Sequence, residues 1–357
     1  MQRDSLCERQ GKVVHVVGRL SSEVIGFLGP ATHALARDGF EQQVVMIDAL
    51  QHRQHVAQLH ESAELRLVSA QRNPVAQWKA VLQEFRSVLN DGVVQAVHLH
   101  GAGPGLIAGF VARVAGGRAS VFHSAHGSRS SGMLGSVAGL LVRPFLRTPR
   151  ENVMNKGSGR VPARSAELLE RPIEGAFFAV SRHEARHPLI VTGDRAAGVR
   201  AVERVAQLAV LLGGGVPHIG FNWIGRVDDV SHARLGAAGV GVFDAASGAE
   251  IAARFAPGWI YLAPVPSAGF PRSLVEAMAA GLPCIALDCP QHRMVVRAGE
   301  TGYLCASERD MIGRIATLID EPALRARLGT AAREAALSQF GEAAFVRRLR
   351  LAYALPT

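Results

Sequence analysis

The sequence predicts an α/β protein with two doubly wound domains, each built on a parallel sheet with helices on both faces. Strand-like and helix-like segments alternate along most of the chain, and this alternation is typical of parallel sheets. The alternation runs twice, once in each half. The length of 357 residues also suits two domains better than one. Hydrophobic residues make up 48% of the chain, which is enough for two cores.

In the first half, five short apolar segments predict strands and three amphipathic segments predict helices. The predicted strands are 13–17, 42–47, 65–68, 93–99 and 119–125. The predicted helices are 30–37, 75–89 and 104–114. The order of these segments predicts a Rossmann-like domain with a parallel sheet.

The second half repeats this order. Its predicted strands are 188–192, 221–225, 239–243, 259–264 and 284–287, followed by a short strand that ends at Cys305. Its predicted helices are 199–212, 249–255 and a third that begins near Leu274. Asp228 and Asp229 follow the strand at 221–225 and are expected to be solvated in a loop.

Composition and charge exclude several classes of protein. The net charge of +9 comes almost wholly from arginine and favours anionic partners such as nucleotide diphosphates or acidic lipids. Few aromatic residues and no nucleic-acid motif argue against nucleic acid. No apolar run is long enough for a membrane helix, and the N-terminus has no apolar signal core. The four cysteines lack metal or disulfide spacing, which fits reduced thiols in the cytosol.

The most informative segment, VPSAGFPRSLVEAMAAGLPCIALDCPQHRMVVRAGETGYLC, covers residues 265–305. Gly269 and Pro271 open a helix with apolar residues at helical spacing, and Gly281 ends it. The N–H groups and the dipole of such a helix N-terminus favour phosphate. Glu276 lies one turn inside the helix, where a carboxylate can accept hydrogen bonds from ribose hydroxyls.

The run GFPRSLVEAMAAGLPCIA resembles the nucleotide-sugar site of glycosyltransferase family 4, whose members are retaining enzymes of the GT-B fold. The later ETGYLC resembles the family's G-x-x-G-x-L turn. The resemblance implies two Rossmann-like domains that face each other across a cleft, with a C-terminal helix that crosses back to the first domain. It implies an acceptor domain at 1–170, a linker at 171–187, a donor domain at 188–335 and the crossing helix at 336–357.

The resemblance also implies a donor site in the second domain. The residues expected to bind the donor are Gly269, Phe270, Pro271, Arg272, Ser273, Leu274 and Glu276. Two positions depart from the family pattern. Ala268 stands where the family's first Glu contacts the transferred sugar, and Met294 stands where a later Glu is common. An alternative function therefore stays open, in which a catalytically degenerate GT-B subunit binds or scaffolds a partner.

The expected catalytic residues are His126, Arg195 and Arg200, and each rests on the resemblance. The family grips the donor diphosphate with an Arg and a Lys, and VTGDRAAGVRAVERVAQLAVLL allows two registers. In one, Arg195 and Arg200 take these positions. In the other, Gly198 takes the place of the family's Gly and Ala197 that of its Lys, so the grip is lost. His126, in SAHG, is the first-domain candidate for contact with the sugar or the leaving phosphate, and a structural role is equally open.

The expected reaction is retaining transfer of a sugar from a nucleotide-diphosphate donor to a glycan or lipid-linked acceptor, in bacterial surface polysaccharide synthesis. No cofactor and no metal are expected, because enzymes of this type generally need none and no Asp-x-Asp motif occurs. His98 and His100 alternate in a predicted strand and point the same way, which suits a packed or edge role. A sugar-nucleotide epimerase of similar fold is a weaker alternative.

The expected location is the cytoplasm, with contact to the inner face of the cell membrane as a further expectation. Residues 129–171 combine arginines with the apolar run MLGSVAGLLVRPFL, and such a segment suits an anionic lipid surface. A mobile loop with one core helix explains the same segment equally well.

Overall fold

The computed structural model describes residues 11–18, 20–48, 53–90, 93–100, 119–124, 170–193, 198–267, 269–353 and 355. The chain divides into two compact units. Unit 1 comprises Met1–Asn155, Pro162–Pro172 and Phe345–Thr357, and unit 2 comprises Lys156–Val161 and Ile173–Ala344. Unit 2 thus takes in most of the predicted linker and the first part of the predicted crossing helix.

Unit 1 contains a five-stranded parallel sheet in the order β3-β2-β1-β4-β5. The strands are β1 (Lys12–Val17), β2 (Glu41–Asp48), β3 (Ala63–Ser69), β4 (Val94–His100) and β5 (Ser120–Ser124). The helices between them are α1 (Ser22–Arg37), α2 (Arg53–Val56) and α3 (Pro74–Asn90). The five predicted strands and the helix at 75–89 are confirmed, and the predicted helix at 104–114 lies outside the described residues.

The sheet of unit 1 is covered on both faces, so its central strand β1 is buried along its whole length. All six residues of β1 are buried, as expected for a central parallel strand. Val13 packs on one face with Phe27 of α1, and Val14 packs on the other face with Phe85 of α3. His15 interrupts this apolar strand and is also fully buried.

Helix α1 begins at Ser22, and the prediction that it begins near Pro30 is wrong. The side chain of Ser21 caps the helix and accepts a hydrogen bond from the Val24 amide at 3.3 Å. Val24 and Leu28 are buried against the residues of β2. This cap and this buried surface outweigh the intrahelical hydrogen bond that Pro30 cannot make.

Unit 2 contains a six-stranded parallel sheet in the order β11-β10-β9-β6-β7-β8. The strands are β6 (Leu189–Thr192), β7 (Gly220–Ile224), β8 (Val240–Phe243), β9 (Ile260–Ala263), β10 (Cys284–Leu287) and β11 (Gly302–Cys305). The helices are α4 (Gly175–Ala179), α5 (Val199–Gly213), α6 (Asp229–Ala237), α7 (Gly248–Phe255), α8 (Arg272–Ala279), α9 (Pro290–Arg293), α10 (Glu308–Asp320) and α11 (Pro322–Phe340). The predicted strands and helices of this half are confirmed, and with them the doubly wound α/β architecture.

Asp228 is exposed in the loop before helix α6, as predicted, and it also caps that helix. Its Oδ1 accepts a hydrogen bond from the Ser231 amide at 2.7 Å, and this hydrogen bond lowers the pKa of the Asp228 carboxyl. Asp229 is the first residue of the helix, where a carboxylate is favoured by the helix dipole. The adjacent acidic residues therefore mark the start of a helix.

The predicted C-terminal helix at 336–357 is interrupted at Gly341, where α11 ends and α12 (Glu342–Tyr353) begins. A Cβ atom at Gly341 would lie 2.6 Å from the Leu337 carbonyl oxygen, so the close approach at this corner requires glycine. Phe345 and Tyr353 are buried in unit 1 with Val13. The expected return of the last helix to the first domain is thus confirmed, with a later start.

No helix in the described part of the chain is long and apolar enough to cross a membrane. Cys284, Cys289 and Cys305 are free and buried in unit 2. Burial raises the pKa of the Cys305 thiol to about 12, which keeps it protonated.

Candidate functional site

The strand order of unit 2 places a topological switch between β6 and β9. The chain runs from β6 outward to β7 and β8, and then crosses to β9, β10 and β11 on the other side. Residues of α5, which follows β6, pack on one face of the sheet, and those of α8, which follows β9, pack on the opposite face. The two connections diverge at the carboxyl edge, and a crevice of this kind is the usual ligand site of a doubly wound sheet.

The N-terminus of α8 points to this edge. Pro271 is the N-cap residue, and its carbonyl accepts from the Val275 amide at 3.1 Å. The amides of Ser273 and Leu274 fall in the first turn, where N–H groups have no acceptor within the helix. These amides and the positive end of the helix dipole can bind an anion, as predicted from Gly269 to Leu274.

Glu276 and Arg272 form an ion pair on the buried side of α8. The Arg272 Nε and Glu276 Oε1 atoms are 3.1 Å apart, and the side chains are 15% and 1% exposed. A cation in the first turn is opposed by the helix dipole, and Glu276 offsets that repulsion. The carboxylate of Glu276 is therefore covered by its neighbours, which the sequence does not reveal.

His292 was not predicted as a site residue, and it stabilises the loop before α8. It lies in α9 and is fully buried. Its Nδ1 lies 2.6 Å from the Leu287 carbonyl oxygen and therefore carries the proton, so Nε2 accepts from Ser267 Oγ at 3.1 Å. The bond holds the loop one residue before Ala268. Nothing in the local spacing marks His292, and Met294 two residues later is 40% exposed.

The connection after β6 is fixed by close packing at Gly193. The Gly193 carbonyl accepts from the Tyr261 hydroxyl at 2.7 Å, and Thr192 Oγ1 donates to the Leu262 carbonyl at 2.8 Å. A Cβ atom at Gly193, whose φ is +155°, would lie 2.0 Å from the Ile224 carbonyl oxygen. The ends of β6, β7 and β9 are thus held together where the chain leaves for α5.

Arg200 is the second residue of α5 and is exposed. It lines a cavity of about 510 Å³ with the loop that follows β9 and the start of α10. The other lining residues are Glu203, Arg204, Gln207, Pro264, Val265, Pro266, Leu287, Ala306, Ser307, Glu308 and Met311. Arg204 and Glu308 form an ion pair across this cavity.

Both registers of the arginine segment stay open on this geometry. Arg200 shares its cavity with Pro264–Pro266, and no described residue of α8 lines that cavity, so the contact that the first register needs is not seen. Gly198 is the N-cap residue of α5, which suits the second register. Arg195 and His126 lie outside the described residues, so their expected roles stay predictions.

In the part of unit 2 that the structure describes, no three potential metal ligands converge at this edge; the one such group in the described chain is in unit 1. The groups described at the edge are backbone amides, guanidinium groups, carboxylates and hydroxyls. These groups suit a phosphate-bearing ligand with a polyhydroxyl part.

The segment that carries this site matches a known family. Residues 226–335 match the family described as glycosyl transferases group 1. This segment runs from the end of β7 through α11 and contains α8 with its loop, but it is under a third of the chain. No curated protein matches the chain.

Solved structures match nearly the whole chain. A glycosyltransferase from Rickettsia africae ESF-5 has a TM-score of 0.69 at 13% identity, with 96% of this chain and 98% of that chain covered. Anabaena Alr3699/HepE in complex with UDP and glucose has a TM-score of 0.67 at 13% identity, with 96% and 99% covered. The lipopolysaccharide outer core galactosyltransferase WaaB, in its apo form, has a TM-score of 0.66 at 14% identity, with 95% and 98% covered. At such identities the likeness establishes the fold, which is GT-B with two Rossmann-like halves.

Proposed function

We propose that the protein is a glycosyltransferase that takes its sugar from a nucleotide-diphosphate donor. The observation that carries the proposal is the N-terminus of α8 at the switch point of unit 2, inside the segment that matches glycosyl transferases group 1. The likeness to a fold relative in complex with UDP and glucose supports this donor class.

The departing diphosphate would be stabilised by the first turn of α8. Negative charge develops on the leaving oxygen in the transition state, and preorganised N–H donors are most effective where charge develops. The amides of Ser273 and Leu274 would supply these donors, and Gly269, Phe270 and Pro271 would shape the approach. Arg272, held by Glu276, adds a guanidinium at the same helix end.

Glu276 would bind the ribose of the donor. Its carboxylate is buried beside Arg272, so donor binding would exchange part of that ion pair for hydroxyl contacts. Arg195 and Arg200 would grip the diphosphate in the first register, and His126 would contact the sugar or leaving phosphate. Because Ala268 offers no polar side chain, the sugar would depend on backbone amides between Gly269 and Arg272.

The finer parts of the proposal follow from the resemblance to glycosyltransferase family 4. The transfer would retain the anomeric configuration and would need no metal in the donor site. The acceptor would be a glycan or a lipid-linked glycan of a bacterial surface polysaccharide. The enzyme would act in the cytoplasm, at the inner face of the membrane.

The test is release of nucleoside diphosphate from a panel of sugar donors, with and without a membrane fraction that carries lipid-linked acceptors. The wild-type protein should release nucleoside diphosphate, and the Glu276→Gln and Arg200→Ala variants should release it more slowly. The Glu276→Gln variant should also bind nucleoside diphosphate more weakly, by about 1–3 kcal/mol. Glu334→Gln, an exposed change on α11, is the matched control. Unchanged affinity in a folded Glu276→Gln variant would remove this residue from the site.

A second candidate, a degenerate subunit that binds a partner without transfer, is favoured by Ala268 and by the covered carboxylate of Glu276. It predicts no release from any donor under either condition by protein shown to be folded.

The same assay separates the two registers of the arginine segment. Loss of turnover in Glu276→Gln, with the Arg200→Ala variant still active, would favour the second register.

A further inference from the structure

Three histidines meet on one face of the unit 1 sheet. His98 and His100 are two residues apart on β4 and therefore point to the same face. His15 on β1 is directly paired with His98 in the parallel register. The three side chains are fully buried, and β1 and β4 flank the topological switch of this sheet. The three imidazole rings therefore lie on the same face of the sheet.

The ring nitrogens are close enough to share one ion. One ligand atom from each histidine lies within 4.8 Å of the other two. His15 Nδ1 and His100 Nε2 are 3.1 Å apart. Two nitrogens bound to one tetrahedral Zn²⁺ at about 2.0–2.1 Å would lie roughly 3.3–3.4 Å apart. A metal ion can therefore replace this hydrogen bond with little movement of either strand.

We propose that His15, His98 and His100 bind one divalent transition-metal ion, with Zn²⁺ as the expected occupant. Imidazole nitrogens suit Zn²⁺ among the metals available to proteins, and three histidines with one open position form a known type of zinc site. His15 would bind the ion through Nδ1, the atom that now contacts His100 Nε2. His15 Nε2, which has no hydrogen-bond partner among the described residues, would then carry the ring proton.

The surroundings provide the outer support that metal-bound histidines usually have. His98 Nδ1 lies 2.6 Å from the Tyr353 hydroxyl, and His98 Nε2 lies 2.8 Å from Ser124 Oγ. One of these nitrogens can bind the ion while the other keeps its hydroxyl partner. Phe27 packs edge-on against His98, with ring centroids 5.0 Å apart, and gives the site an apolar wall.

Binding requires one rearrangement. The rings of His98 and His100 stack with centroids 4.0 Å apart and 25° between their planes, so one ring must turn to bring its nitrogen to a common point. Tyr353 belongs to α12, the helix that returns to unit 1. Its hydroxyl contacts His98 Nδ1, so binding of the ion at His98 would bear on the contact between α12 and the sheet. The site is separate from the proposed donor site in unit 2.

The first experiment adds Zn²⁺ alone to the full chain after chelator treatment. We expect one Zn²⁺ per chain and a rise of about 5–10 °C in the unfolding midpoint at 100-fold excess over Kd. Co²⁺ should give the visible absorption of a tetrahedral site, and the X-ray absorption spectrum of the zinc form should show three imidazole nitrogens. This spectrum needs no variant, so it tests the site even where a substitution prevents folding.

The second experiment uses His15→Phe and His100→Gln, which should lose both the bound ion and the thermal shift. The matched control is the double variant His33→Gln, His60→Gln. These two histidines lie outside the buried cluster, with ring centroids 5.1 Å apart, and their substitution should leave Zn²⁺ binding intact. Absence of binding by the wild type would overturn the proposal. So would binding that survives both cluster substitutions, or binding that disappears with His33 and His60.

Discussion

In unit 2, the connection after β9 leads to a helix whose first turns carry Arg272 and Glu276, whereas in unit 1 the strands beside the switch carry His15, His98 and His100. The sheets follow the same doubly wound plan. The two regions differ because one places helix amides and an ion pair at the carboxyl edge of its sheet, and the other buries three imidazole rings in an apolar core. A shared fold thus gives two places for chemistry, and the side chains decide which one suits an anion.

The two regions also differ in how far the sequence reveals them. The donor residues proposed in unit 2 are nearly contiguous, from Gly269 to Glu276, so a motif can show them. The histidine cluster joins residues 85 positions apart, and His98 contacts Tyr353 across 255 positions. Only the register of β1 against β4 brings them together, and no local spacing contains that information. The expectation of no metal rested instead on the family resemblance and on the absence of an Asp-x-Asp motif.

Local patterns predicted the strands better than the helix ends. Strands such as β10 are short, apolar and bounded by glycine or proline, so their limits are visible in the sequence. Helix α1 continues through Pro30 because burial of Val24 and Leu28 outweighs a local helix breaker. The division at Gly341 depends on close contact with Leu337. Both outcomes are set by tertiary packing, which periodicity does not report.

Acid should weaken unit 1 through His15, and this is the largest effect expected. Burial lowers the pKa of His15 from about 6.5 to about 3. Between these values the unfolded chain binds a proton that the folded chain does not, so stability is present above pH 6.5 and is lost as pH falls toward 3. The loss should approach about 4 kcal/mol at the acid end.

Hydrogen exchange of the β1 and β4 amides in chelator-treated protein would measure this loss. His98, His100 and Tyr353 face His15. Burial raises the pKa of the Tyr353 hydroxyl, so this group stays protonated throughout the acid range. The His15→Phe variant should flatten the pH dependence. A variant with the wild-type slope would show that His15 is not the source, and the contrast between the two units would then need another cause.

Substitution at Gly193 should weaken unit 2 by a geometric route. Gly193→Ala places a Cβ atom 2.0 Å from the Ile224 carbonyl oxygen and forces alanine to a φ of +155°. We expect a loss of about 3 kcal/mol, because β6 and β7 must separate or the backbone must change conformation. Exchange of the β6 and β7 amides measures it.

Gly213→Ala is the matched control, since an added Cβ there meets nothing within 4 Å. This change at the end of α5 should be neutral or stabilise by about 0.5–1 kcal/mol. Equal stability of the Gly193→Ala and Gly213→Ala variants would mean that the ends of β6 and β7 are not packed as closely as the geometry requires.

The smallest effect expected concerns Ser267, and it separates stability from binding. Ser267→Ala removes the hydrogen bond to His292 Nε2, a loss of about 1 kcal/mol. Because the bond holds the loop that leads to α8, nucleoside diphosphate affinity should also fall, by about twofold to fivefold, as the binding conformation becomes less populated. Thr317→Ala deletes a hydroxyl that donates to the Gly313 carbonyl on the exposed side of α10, and it should leave affinity unchanged. Calorimetry with UDP and GDP on both variants gives the comparison. Suppose that Ser267→Ala lowers the stability of unit 2 but leaves its nucleotide affinity unchanged. The Ser267–His292 hydrogen bond then supports only the fold, and anion binding depends on the first turn of α8 and not on the loop before it.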